Sequence, residues 1–472
     1  MNRRTSPRYL SRVRGPSLRH TINLWIMVAV IALPAFARED YTRNVDKTLP
    51  VAAGQRVRMV HKFGDVSIRT QAKAELSVHA VIRTSASNAD EAKRFGEGIR
   101  VEVHASGAGV LIETVYPKEE DFGGWFRNFS YTVSYEITMP ETSPIEVNNS
   151  FSAVSIRGLK ANGEIVTSHG RLEFRDGSGT QRLENSFAPV LVARNAGDLT
   201  LTNTNGAVEV SDVSGTVRIK DRFGKVTLMR SGGGTVVNGN GEVELSQIGG
   251  DLRVTTSFAG VEARDVKGSL TVMNQNGIIS AVNVKGAADL TTSFARVRFD
   301  DIGGQLTVKA QNTKVEGGKV GGGANIQTSF AGIDVTDIHK GVKVVSQNGG
   351  VTLAGVGEGA AVKTSFGPIV LSDVGGQVDA ENQNGSVEVS VNPAAACKPI
   401  SVRTSFAHIR MRLPGTASYD LTARTTFAKV HSDFPMMVSG ALSGDSVSGK
   451  IGGGACPMSL VDQNGQIEIL RR

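Results

Sequence analysis

The chain has 472 residues, with 55 Gly but only 14 Pro, 2 Cys and 6% aromatic residues; high Gly without high Pro excludes a collagen-like chain and a Pro-rich linker. Its formal charge of +7 suggests a nucleic-acid partner until the charge is located. Six arginines (Arg3, Arg4, Arg8, Arg12, Arg14, Arg19) lie within the first 37 residues, which hold no Asp, Glu or Lys; the remainder carries 46 basic against 45 acidic residues, and the electrostatic case for nucleic acid fails.

Residues 1–37 read as a targeting segment. The basic stretch leads into the apolar run Leu24–Leu33, then Pro34 and Ala35-Phe36-Ala37, the order of a secretory signal peptide, with cleavage placed after Ala37. The run is shorter than the roughly 20 residues that cross a bilayer. An uncleaved anchor is the alternative, and this segment is then the chain's membrane contact. Either reading predicts an exported protein, in the periplasm or at the cell surface.

Residues 38–144 are expected to form an N-terminal β cap. Tyr131, Val133, Tyr135, Ile137 and Met139 alternate with more polar neighbours, as in a strand with one buried face. A short helix is expected near Asn88–Phe95, with Ser87 as its N-cap. The segment 121–129 places Phe122, Trp125, Phe126 and Phe129 beside a Gly pair, an arrangement suited to a recognition loop; a cover over the first coil of the repeat is the structural alternative.

Residues 145–392 carry the main signal, an internal repeat. Phe151, Phe187, Phe223, Phe258, Phe294, Phe330 and Phe366 succeed one another at intervals of 36, 36, 35, 36, 36 and 36 residues, each but Phe223 preceded by Ser. An Asn-Gly pair keeps the same beat about half a period away, at Asn205, Asn240, Asn276, Asn348 and Asn384, with Asn312-Thr313 as the variant. The structural unit is therefore a coil of about 18 residues, used in alternating Phe and Asn versions. Apolar columns run through it: Val261, Val297, Ile333 and Ile369; Ala263, Phe299, Val335 and Leu371; Val266, Ile302, Ile338 and Val374; Leu270, Leu306, Val342 and Val378. Alternation within each unit, as in Val261-Glu262-Ala263-Arg264, gives two short strands per coil. Such a coil buries its apolar face only by stacking on others. The expected fold is an all-β solenoid of 18-residue coils in 36-residue double repeats. Each Phe is expected to pack into the core or under a turn, at a corner because its half-period equivalent is Asn.

Asp265, Asp301, Asp337 and Asp373 form a further column, with Asn283, Gly321 and Gly357 read as the intervening coils' equivalents. The 36-residue interval separates these Asp by about 9.6 Å, too far to share an ion whose ligands lie near 2.4 Å. The Asp are expected to accept backbone bonds in turns closed by Gly.

Residues 393–472 lose the beat and are read as an irregular C-terminal solenoid cap; Ser405-Phe406 comes 40 residues after the previous Phe, and Thr426-Phe427 only 21 later. Asn464-Gly465 then restores one strand. In an oxidising compartment Cys397 and Cys456 are expected to pair, two buried thiols being the alternative. Gly444–Lys450 matches a phosphate-loop spacing, but Ile451 stands where Mg²⁺ binding needs Ser or Thr. His61, His79, His104, His169, His339, His408 and His431 show no metal-ligand spacing or partnered nucleophile. No catalytic, cofactor-binding or metal residue is assigned.

Val57–Arg69, the strand end Ile137-Thr138-Met139-Pro140, the serial SFAxVxxxDVxG and NQNGxVxV units and the closing QNGQIEIL resemble the bacterial putative-adhesin family of β-strand repeat proteins, a domain of unknown function. The resemblance covers nearly everything after residue 45. It implies an exported all-β solenoid at the cell envelope and supplies no catalytic residues. The leading expectation is a non-enzymatic protein binding an envelope protein or glycan. A periplasmic scaffold or envelope-stress sensor component is the second reading, and a solenoid carbohydrate-active enzyme the third.

Overall fold

The computed structural model describes residues 38–118, 129–438 and 444–472. Residues 1–37, read from the sequence as a targeting segment, and the aromatic residues Phe122, Trp125 and Phe126 lie outside the described residues.

The chain is a β-solenoid of about 15 turns with coils of roughly 18 residues. Each strand pairs in parallel with its copy one coil on, Leu252 with Leu270 and Val261 with Ile279. The four apolar columns read from the sequence are all buried. Burying each such side chain contributes about 1.5–3 kcal/mol relative to exposure, and stacking is what supplies the burial. Column volumes are balanced locally: Phe299 sits between Ala281 and Gly317, and a Cβ at Gly317 would come within 2.7 Å of the Phe299 ring.

The Asp column takes another role than expected. Asp265, Asp301, Asp337 and Asp373 adopt left-handed backbone, φ 54° to 56°, as do Asp176, Arg194, Asp212, Arg230, Gln247, Asn283 and Lys319. A single left-handed residue places two successive side chains outside, as with Arg264 and Asp265, before Val266 turns back in. Asp and Asn tolerate this geometry better than most residues. Several of these side chains pair across coils instead of holding a turn: Asp212 takes two hydrogen bonds from Arg230 at 2.5 and 2.8 Å, and Asp301 takes one from Lys285 at 3.0 Å. The register also makes Lys319 and Gly355, not Gly321 and Gly357, the intervening equivalents.

The 35-residue interval is equally local. The turn Val213-Ser214-Gly215-Thr216-Val217 shortens to Ser231-Gly232-Gly233-Gly234, because Val213 pairs with Ser231 but Val217 with Gly234. With one residue and several side chains missing, a recess of about 880 Å³ opens there, lined by Arg230, Gln247, Asp265, Lys267 and Lys285 among others.

Both ends depart from the simple stack. Strands Val57–Val60 and Val66–Gln71 are themselves a coil, in register with Ile145–Asn148 and Val154–Arg157; the stack therefore starts inside the segment read as a cap. The true covering is Gly109–Val115 and Ser130–Pro140, which lie on that coil's outer edge. The sheet continues antiparallel through Glu75–Ala86 and Glu39–Pro50. Such covering blunts an edge that would otherwise pair with another chain. Helix Ala89–Gly98 is capped by Asn88, whose side chain accepts from Glu91 N–H, so the cap falls one residue after Ser87. Phe129 stacks on the buried Phe95 of this helix, ring centres 4.7 Å apart, and belongs to the packing of the cap.

At the other end the order of coils departs from the order of sequence. Strand Ile400–Arg403 pairs with Cys456–Val461, which pairs on its far side with Tyr419–Arg424. The C-terminal coil is thus inserted between two earlier ones. Ser446–Ile451 closes the end antiparallel to Tyr419–Arg424. Cys397 and Cys456 form a disulfide with Cα atoms 6.0 Å apart.

The first coil holds a buried histidine that spacing alone did not distinguish. His61 Nδ1 lies 3.0 Å from Thr114 Oγ1, and Nε2 donates to the Gly64 carbonyl at 3.0 Å. Thr114 Oγ1 also meets Tyr135 OH at 2.6 Å, which fits a neutral ring accepting at Nδ1. Burial lowers the His61 pKa from 6.5 to about 4. A depressed folded pKa contributes stability that is present above pH 6.5 and lost as pH falls through 4, on the order of 3 kcal/mol in all. Urea denaturation at pH 7.5, 5.5 and 4 should show this fall in the native chain and a flatter profile in His61→Gln.

Candidate functional site

One corner repeats a single four-residue turn along the rod. Its first residue is polar and buried: Asn149, Thr167, Asn185, Asn203, Asp221, Asn238, Thr256, Asn274, Thr292, Thr328, Ser346, Thr364, Asn382, Thr404, Asp462 and Thr425, with Ala310 the apolar exception. These side chains turn inward, and many of them donate to turn carbonyls of their own coil or of the coil before. Asn185 Nδ2 donates to Ala188 O at 2.8 Å, Asn203 Nδ2 to Gly206 O at 2.8 Å, and Thr292 Oγ1 to Phe294 O at 3.0 Å. Because the first position is directed inward, the third is directed out.

That third position is the Phe or Asn of the repeat. All seven predicted Phe are exposed, from 47% at Phe151 to 62% at Phe258. The expectation of a corner is met, but the expectation of packing is not: the inward direction belongs to the residue two before. Backbone bonds carry the column through every tier, for example Asn205 N–H to Ser186 O, Phe223 N–H to Thr204 O and Phe330 N–H to Gln311 O. The column runs further than the regular repeat. It begins at Phe63, which stacks on Phe151 at 5.2 Å, and His169 stacks on both Phe151 (4.8 Å) and Phe187 (4.7 Å). At the C-terminal end its order is Phe406, Asn464, Phe427. The inserted coil restores the Phe–Asn–Phe alternation that the sequence lacks there. The signal for the buried polar column was present, as an Asn, Thr, Asp or Ser two residues before each repeat Phe or Asn except Asn312.

From Phe151 to Phe427 the residue on either side of the column is Ser, Thr, Gln, Gly or Ala, with Arg222 the one exception. In a chain with 21% charged residues, such an edge is depleted of charge. Around Phe258 it widens, through exposed Val237, Met273 and Ile278. A shallow recess of about 160 Å³ beside it is lined by Gly260, Ile278, Ser280 and the carboxylates of Glu242, Glu244 and Glu262.

Asp221 is the charged member of the buried polar column in mid-rod. Its Oδ2 accepts from Gly224 N–H at 2.6 Å, while Oδ1 has no partner, and burial raises its pKa. A raised folded pKa means that the acid's contribution is fullest below its unfolded pKa and is lost as pH rises through the folded one. At pH 7 Asp221→Asn, the residue used in neighbouring coils, should stabilise by about 1 kcal/mol. Thermal denaturation should show the gain shrinking toward pH 4.

Two other clusters hold several of their charges in internal pairs. Glu102, His104 and Glu113 bring ligand atoms within 4.8 Å of one another, because Glu102 faces Glu113 across a hairpin; spacing alone did not reveal this. Arg100 and His104 donate to Glu102, both at 3.1 Å. In the 880 Å³ recess, Arg230 and Lys285 are held by Asp212 and Asp301. Among the described residues no helix is long and apolar enough to cross a membrane.

A family model described as Toastrack DUF4097 matches residues 59–470. Among solved structures, a putative cell adhesion protein from Clostridium sporogenes is 8% identical, with 92% of this chain and 100% of that chain covered, at a TM-score of 0.16. A putative adhesin from Parabacteroides distasonis is 11% identical, with 72% and 97% covered, at a TM-score of 0.16. No curated protein matches.

Proposed function

We propose, since this chain belongs to the Toastrack DUF4097 family, that it is an exported, non-enzymatic binding protein of the cell envelope whose recognition edge is the Phe/Asn corner. The observation that carries this reading is the row of exposed Phe at every second coil, from Phe151 to Phe427. Leaving a large aromatic in water at each step forgoes burial that a core position would supply. An extended partner laid along the rod, an envelope protein or a glycan, recovers it. Binding rather than catalysis fits the residue types. Phe, Asn, Gln and Ser offer no side-chain group that titrates near neutrality.

Two measurements on one tagged protein test the reading. Protease treatment of intact cells, with a periplasmic control, reports location: selective cleavage places the rod outside, and protection until the outer barrier is broken favours a periplasmic scaffold. Co-sedimentation of the purified protein with envelope fragments reports the edge. Replacing Phe223, Phe258 and Phe294 by Ser should abolish it, and undiminished sedimentation sinks the assignment of this corner.

A further inference from the structure

We infer that the ligand of the Phe/Asn corner is an uncharged polysaccharide, lying along the rod with sugar C–H faces on the Phe rings and hydroxyls on the intervening amides. This rests on the corner being the recognition edge and adds the chemistry of what it recognises.

Three observations select that chemistry. The first is the alternation. Phe recurs every second coil, about 9.6 Å apart, and the tier between carries an exposed Asn preceded by an exposed Gln at 275, 311, 347, 383 and 463. Among the described residues, the side-chain amides of Asn205, Asn240, Asn276, Asn312 and Asn348 make no hydrogen bond within the protein, whereas the Asn of the buried column do. Asn384 and Asn464 each donate to a single Ser carbonyl one tier away. An apolar partner surface leaves such amides without partners, which is costly when they are desolvated. A surface carrying hydroxyls between C–H patches satisfies both kinds of tier.

The second is charge. Arg222 is the one charged residue adjacent in sequence to the column from Phe151 onward. One place further, Arg171, Lys225, Arg296 and Lys314 are paired with Glu173, Glu242, Glu244 and Glu316, so a polyanion finds few free cations to neutralise it. Beside the widest apolar region, Glu242, Glu244 and Glu262 line the recess next to Gly260 and Ile278. Lys225 and Arg264 pair with them, which leaves three carboxylates against two cations. Carboxylates there accept hydrogen bonds from hydroxyls and repel uronates, phosphates and sulfates. The third is length. The alternation of Phe and Asn recurs unchanged in kind from Phe223 to Phe406, so each Phe–Asn–Phe step is an equivalent subsite. Linked weak subsites gain by effective concentration, and a polymer is the ligand that engages several at once.

Native affinity electrophoresis of the purified protein tests this, in gels containing a neutral β-glucan, a neutral mannan, or polygalacturonate. The neutral polymers should retard the native chain, and the Phe223→Ser, Phe258→Ser, Phe294→Ser variant should bind roughly tenfold or more weakly. Oligosaccharides of increasing length should compete increasingly well once they reach two Phe. Circular dichroism and melting confirm that the variant is folded; a single Phe258→Ser protein serves if the triple variant is not. Retardation by polygalacturonate alone, or by none of the three, overturns the inference. So does equal retardation of native and variant chains. If light scattering finds a dimer in the native chain and a monomer in the variant, the corner is a self-association face and the inference fails. Loss of envelope co-sedimentation in the variant, with no neutral polymer bound, removes the polysaccharide while leaving the recognition edge in place.

Discussion

Reducing the Cys397–Cys456 disulfide, or replacing both residues by Ser, is expected to destabilise the C-terminal end by about 4 kcal/mol. The bridge spans a sequence separation of 59 residues, and the entropy of closing a loop of that length sets the estimate. Its position matters as much as its length. Cys456 opens the strand that is inserted between Ile400–Arg403 and Tyr419–Arg424. The covalent link therefore holds the inserted coil against its first neighbour while the chain between completes the outer one. Stability in a solenoid is nearly a sum of coil and interface terms, so the loss should stay local. Hydrogen exchange with and without reductant should show faster exchange in residues 400–472 and little change in 252–391. A uniform loss along the rod would instead mean that the end coils limit the whole stack.

A second large effect is expected from a small residue. Gly241→Ala should destabilise by about 2–3 kcal/mol, although it adds one methyl group at a turn. A Cβ at Gly241 would lie 1.7 Å from the Gly224 carbonyl oxygen, and one at Gly385 would lie 2.1 Å from that of Gly367. The obstacle is backbone of the coil before, which cannot move without breaking ladder bonds. Phe258→Ser, by contrast, removes a large apolar side chain that is 62% exposed and should leave stability within about 0.5 kcal/mol. Urea titrations of the two variants side by side test the pair. The reverse ranking would place the Phe in the core and the Asn-Gly turns free of their neighbours.

The same contrast marks how much of the fold was legible in the residues. Coil length, the alternation of Phe and Asn versions and the four apolar columns followed from spacing. In a parallel stack residues one period apart must meet, so the periodicity of the sequence is the register of the sheet. The family was legible for the same reason. The N-cap missed by one residue because Ser87 and Asn88 both suit the position, and backbone geometry chose between them.

What spacing does not carry is direction and order. Phe and Asn share a position because both point out, yet a bulky aromatic at a fixed coil position is more often buried. The decision was made by Asn185, Thr292 and their equivalents, whose side chains must turn inward to hold the turn carbonyls. Left-handed backbone at Asp265 and its column was likewise set by the need to bring Val266 back to the core, and Asp tolerates it where most residues do not. The C-terminal coil took its place between two earlier coils, in a stacking order that no local pattern records. Period, core columns and family were therefore written in the order of the residues. The outward direction of the repeated Phe and the stacking of the final coils came only with folding, because both depend on contacts between tiers rather than on spacing within one.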